Sequence, residues 1–141
     1  MNLVTVLAKW LHDIATVVWL GSLFVTAFAV IPASHRVLGD DKRRKALNKE
    51  VQRRLNGPIL ASLLTLLLTG LIIARQVPEF QGLFNTANIY SMVLAAKHLL
   101  VLIALALVVS RKLLKPNAIL VYLNLVVGAL ILLLSAMNSA L

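Results

Sequence analysis

Residues 11–33 read LHDIATVVWLGSLFVTAFAVIPA, and the segment from Ile14 to Ala33 carries no charged side chain. A run of about 20 such residues crosses the hydrocarbon core of a bilayer as a helix. At its head stand His12 and Asp13. An imidazole and a carboxylate are costly at a membrane helix unless something pairs with them, so both are candidates for function. His12, Thr16, Trp19 and Leu23 follow at spacings of four, three and four, which puts an imidazole, a hydroxyl and an indole on one helical face. Gly21 removes a side chain beside Trp19 and lets a neighbouring helix or a flat ligand come close. The same stretch also suits an interfacial collar of Lys9, Trp10, His12 and Asp13 outside the span. Residues further along separate the two readings.

The whole chain has the composition of a membrane protein. It has 141 residues, 60% of them hydrophobic and only 13% charged, outside the soluble range and consistent with one domain spanning residues 1–141. The net charge of +9 is concentrated in one loop, so it points to topology and anionic head groups, not to nucleic acid. With no cysteine, disulfides, iron–sulfur clusters, thiolate metal sites and a cysteine nucleophile are excluded. The first apolar run lacks a small-residue cleavage pattern and is read as a span, not a cleaved leader.

Four spans are predicted, at about 4–31, 58–74, 87–110 and 118–137. The fold expected is an all-α integral membrane four-helix bundle. Pro32 ends the first span and Pro58 suits the first turn of the second. Four crossings put both termini on one side. The opposite side carries Arg36, Lys42, Arg43, Arg44, Lys45, Lys49, Arg53, Arg54, Arg111, Lys112 and Lys115, against Lys9 and Arg75 on the first. Eleven against two is a positive-inside signal for a multi-pass protein of the cell membrane with both termini outside. Within the inner loop, Gly39-Asp40-Asp41 can turn and cap a helix, and Leu47, Val51 and Leu55 recur every four residues. A basic amphipathic helix over about 42–55 follows, leading to a break at Asn56-Gly57-Pro58. It suits a regulatory or partner-binding role or, the preferred reading, a solvated face snorkelling at the head groups.

The third span answers the opening question. Between His98 and Arg111 lie eleven apolar residues and Ser110, roughly 18 Å of helix, too short for a core of about 30 Å. The span must therefore reach back to about Asn88 or Tyr90, which places Lys97 and His98 inside the membrane in its outer half. Either they meet a ligand there or they make interhelical bonds. Adjacent residues point about 100° apart, so the two are not expected to face one site squarely.

Two ligands suit the polar and soft groups of the outer half. A b-type haem needs axial imidazoles, here His12 and His98, clearance at Gly21, and cations such as Arg75 or Lys97 for propionates, with Tyr90 nearby. A copper(I) site needs imidazole and thioether, here His12, His98, Met92 and Met137. Measured from Pro32 and Arg111, however, the two histidines differ in depth by about 10 Å, which counts against sharing one ion. His35 lies in the inner loop and is read as merely polar. A phosphate loop, HExxH and nucleophile elbow are missing, and five acidic residues are too few for a carboxylate-lined pump.

The first helix also resembles a known family. His12, six residues, Trp19, one residue and Gly21, with Pro32 after the helix, is similar to the copper resistance D domain of bacterial and archaeal membrane proteins. Thr69-Gly70 in the second helix and Tyr90, Leu94 and Lys97 in the third extend the resemblance. The same first helix and the third-helix lysine are more distantly similar to the four-helix bacterial protoporphyrinogen oxidase. That similarity implies haem b on the helix-one histidine, with the lysine also implicated. The chain departs from that enzyme at Leu23-Phe24-Val25-Thr26, where it lacks an Arg-containing ending. The resemblances thus imply copper or haem, the pair the residues allow. Three functions follow: a haem protein exchanging electrons with quinol or an outer, periplasmic redox partner; a copper transporter; or a structural subunit of a larger complex or oligomer.

Overall fold

Every element in the computed structural model is a helix, and residues 2–76, 89–113 and 118–140 are described. Helix α1 covers Leu3–Val25 and passes through a π-helical segment, Thr26–Val30, into α2, Ile31–Leu38. Helix α3 covers Lys42–Ala74, α4 covers Ile89–Leu113 and α5 covers Ala118–Ala140. Four stretches are long and apolar enough to cross a membrane: Leu3–Leu38, Lys42–Ala74, Ile89–Arg111 and Ile119–Ala140. The protein is an all-α four-helix membrane bundle. Its lipid-facing side chains, Val17, Phe24, Phe28, Leu68 and Leu133 among them, are exposed, while Trp19, Leu23, Ile59, Leu63, Ala104, Val108 and Val121 fill the core. Helix α1 packs chiefly on α3 and α5 chiefly on α4, leaving a thinner seam between α1 and α5.

The helices run through both prolines expected to stop them. At Pro32 the reason is a change of pitch one turn earlier. In the π segment the Ile31 N–H bonds the Thr26 carbonyl, five residues back. The next bond in that pattern would run from residue 32 to Ala27, but proline has no N–H. The hydroxyl of Tyr122 on α5 donates to the Ala27 carbonyl at 3.0 Å and takes the missing place. The chain therefore stays helical to Leu38, past the end expected near residue 31.

Pro58 lies inside α3, not at the start of a span, so the amphipathic segment 42–55 and the span 58–74 form one helix of 33 residues. Lipid offers no water to satisfy an unwound backbone, which favours continuity. Ser62 Oγ donates to the Pro58 carbonyl at 2.7 Å, keeping that turn bonded. At about 50 Å the helix exceeds the bilayer core, so its basic end projects beyond it. Its start is where the turn residues put it. Gly39 takes φ 61°, and Asp41 caps Lys42–Ala74 by accepting from the Arg43 backbone N–H. The Arg43 guanidinium beside Asp41 holds that carboxyl below the usual carboxylate range. Of the stripe of Leu47, Val51 and Leu55, Leu55 packs against the core and Val51 is half-buried, while Leu47 is 43% exposed. Gln52 is buried instead, and Asn48 Oδ1 lies 2.9 Å from Ser34 Oγ of α2.

Candidate functional site

A cavity of about 630 Å³ opens in the half of the bundle nearer the chain termini, lined by α1, α3, α4 and α5. Its position follows from small residues at the crossing of the polar faces. On α1 the face read from the sequence holds: His12, Thr16 and Trp19 all line it, with Leu23 buried beneath. On α4, Tyr90, Lys97 and His98 line it together. Lys97 and His98 thus address one cavity, contrary to the expectation from their 100° separation. The cavity is wide enough to be walled by four helices, so neighbouring side chains reach different flanks of it.

His12 and His98 meet at Gly70 of α3. A Cβ placed on Gly70 would lie 3.6 Å from His12 Cε1 and 3.7 Å from His98 Nε2, so the two rings border the same bare backbone. The depth offset of about 10 Å does not exist, because Pro32 and Arg111 are not level. Arg111 is buried, 3% exposed, so it does not mark the surface of the bundle as the depth count took it to. It is not the solvated inner-loop cation that the charge count assumed.

Hydrogen bonds identify Nδ1 as a protonated nitrogen of both rings. His98 Nδ1 lies 2.9 Å from the Leu94 carbonyl, which can only accept, so Nδ1 carries the proton. His12 Nδ1 lies 2.9 Å from Thr69 Oγ1. The Thr69 hydroxyl gives its single proton to the Thr65 carbonyl at 2.7 Å, so it too accepts from the ring. In the neutral rings each Nε2 is then a lone pair, the form in which imidazole binds a metal.

The remaining sequence candidates divide. Gly21 does not line this cavity but a separate groove, and a Cβ there would meet nothing within 4 Å. Arg75 is exposed and absent from the lining, whereas Lys9 takes the place beside Lys97. Met92 and Met137 are 50% and 45% exposed and do not line the cavity. Among the described residues no group of three or more His, Asp or Glu side chains is arranged to hold a metal ion.

Several residues of the site carry no chemical signal that spacing reveals. Thr69 and Gly70 were visible only as a Thr-Gly pair, with no role attached. Asn138, which no motif singles out, lines the cavity, and its Oδ1 is buried without a partner. The indole N–H of Trp19 is likewise buried with no acceptor. Unpaired buried donors and acceptors are uncommon in native proteins, and these two belong to residues of one cavity wall. No protein-family model matches this chain, and neither a characterised protein nor a solved structure shows significant similarity to it.

Proposed function

We propose that this membrane protein holds a b-type haem in its outer-half cavity, for electron transfer or for haem handling. The observation that carries the reading is the pair of imidazoles, His12 and His98, meeting beside Gly70 with each Nδ1–H already engaged. The cavity supports it by size and lining. Small-molecule sites run to about 300–1,000 Å³, and about 630 Å³ far exceeds what a bare ion or a plain interhelical bond requires. Leu66, Leu67, Val101 and Ile131 supply the apolar wall a tetrapyrrole needs, and Lys9 and Lys97 supply cations for carboxylates.

Bound haem would supply a one-electron carrier. The chain's own part is to hold each ring by its Nδ1–H, through Thr69 on α3 and the Leu94 carbonyl on α4, which leaves Nε2 of the neutral ring as the nitrogen that would hold the ligand. The buried face of Trp19 and Leu66 closes the inner end against water. The resemblance of His12, Trp19, Gly21 and Lys97 to haem- and copper-associated membrane helices supports His12, and Lys97 next to His98, as parts of the site. The copper alternative loses its thioethers to the lipid-facing positions of Met92 and Met137.

Acidic-acetone extraction of the purified chain, expressed with ample haem, tests the proposal by stoichiometry. About one protohaem per chain is expected, from two histidines on one site. Copper bound in its place, with protohaem missing, would overturn it.

A further inference from the structure

Among the described residues that line the histidine cavity, four are exposed: Lys9, Asp13, Leu132 and Ser139. The first two belong to α1 and the last two to α5, whereas every lining residue on α3 and α4 is buried or half-buried. The cavity is therefore closed on the α3–α4 side and opens across the thin seam between α1 and α5.

The two lips of this mouth are in register. A Cβ on Gly128 of α5 would touch Leu20 of α1, which fixes where the helices cross below the cavity. Seven residues from that contact, on either helix, stand Asp13 and Ser135; eleven residues from it stand Lys9 and Ser139. All four line the cavity. The opening runs down the side of the bundle and not only across its end, since Leu132, 48% exposed, lies about 10 Å deeper along α5 than Ser139. Its border thus changes with depth, from Lys9, Asp13 and Ser139 near the helix ends to Leu132 beneath. A bilayer changes in the same direction, from head groups to hydrocarbon.

We infer that the ligand enters this cavity sideways from the bilayer, through the mouth between α1 and α5, and keeps its carboxylates at the lip on Lys9. The inference rests on the haem reading, which supplies a flat apolar ring with carboxylates at one edge. Such a molecule lies in a membrane with its carboxylates at head-group level and its ring below. Moving sideways, it meets Lys9 above and Leu132 beneath. His12 stands one helical turn deeper than Lys9 on the same face, so the ring reaches the imidazole without its carboxylates leaving the lip. Neither Lys9 nor Lys97 forms an ion pair among the described residues. The exposed Lys9 is the better partner, because Lys97 is half-buried on the far wall and a carboxylate carried there would lose its water.

The chain has no cysteine, so Asp13→Cys combined with Ser135→Cys presents two thiols and no others. Bridging them with a short bifunctional thiol reagent in the haem-free full chain should slow haem uptake from vesicles about tenfold or more relative to the unbridged variant. Bridging after loading should leave the bound haem in place. The second measurement compares protohaem with its dimethyl ester. Lys9→Gln should weaken protohaem about three- to tenfold, the scale of a charge-assisted bond at an exposed edge, and leave the ester unaffected. Lys97→Gln should treat the two compounds alike. Circular dichroism of each variant checks folding. Uptake by the bridged chain at the unbridged rate, or discrimination against the ester lost in Lys97→Gln and kept in Lys9→Gln, would overturn the inference with haem still bound. A native chain that takes up neither compound would overturn the haem reading and the inference with it.

Discussion

Nδ1 of His12 on α1 lies 2.9 Å from Oγ1 of Thr69 on α3, and the threonine's own proton is already given to the Thr65 carbonyl. One hydroxyl thus sets the orientation and the protonated nitrogen of a histidine 57 residues away in sequence. Thr69→Val keeps the shape of the side chain and removes the acceptor. Metal or haem affinity should fall about 10–100-fold, the usual effect of losing a histidine's outer partner. Titration of the purified variant with haem measures it. Unchanged affinity would mean that Thr69 only joins two helices.

Gly70→Leu should separate folding from ligand binding. A first carbon at this position meets both histidine rings at 3.6–3.7 Å, ordinary contact, so the helices need not move apart. The rest of the leucine must enter the cavity beside His98 Nε2. Helical content should be retained and bound ligand lost; retention of both would show that the ligand does not lie over Gly70.

Tyr122→Phe removes the hydroxyl that completes the backbone at the π segment and leaves the Ala27 carbonyl without that partner. The expected cost is about 1 kcal/mol, with smaller values common for bonds within membranes. Denaturation in mixed micelles would register it. No change would mean that the π segment satisfies itself.

Asn124 is fully buried and neither atom of its amide has a partner. Unsatisfied polar atoms cost about 1–3 kcal/mol, so Asn124→Leu should leave stability unchanged or raise it. A marked drop in melting temperature would reveal a bond to the amide and refute this.

The sequence carries the bundle more fully than it carries the site. Four spans are legible because lipid demands continuous apolar helices, and Lys97 and His98 are forced inward by the short run before Arg111. The prolines mislead because their local signal is real but its remedy is tertiary: Tyr122 is 95 residues from Ala27. The convergence of His12 and His98 could not be read from the chain, since helix register depends on Arg111 lying buried inside the bundle. The lipid-facing positions of Met92 and Met137 follow from helix rotation, which a uniformly apolar pattern does not specify. The sidedness argued from charge keeps its sign with Arg111 removed from the count, and cysteine labelling at Lys45 tests it: modification from the cytoplasmic side alone is expected.

The absorption spectrum of the full chain, purified after growth with ample haem, tests the central claim most directly. The native sequence should show a Soret band and a sharp visible band on reduction. His12→Ala and His98→Ala should each abolish or strongly shift that spectrum while keeping the helical content, because a ligand is lost and not a packing group. His35→Ala, at an exposed inner position, should leave it unchanged. A colourless native protein, or a spectrum that survives both His12→Ala and His98→Ala unaltered, would contradict the account.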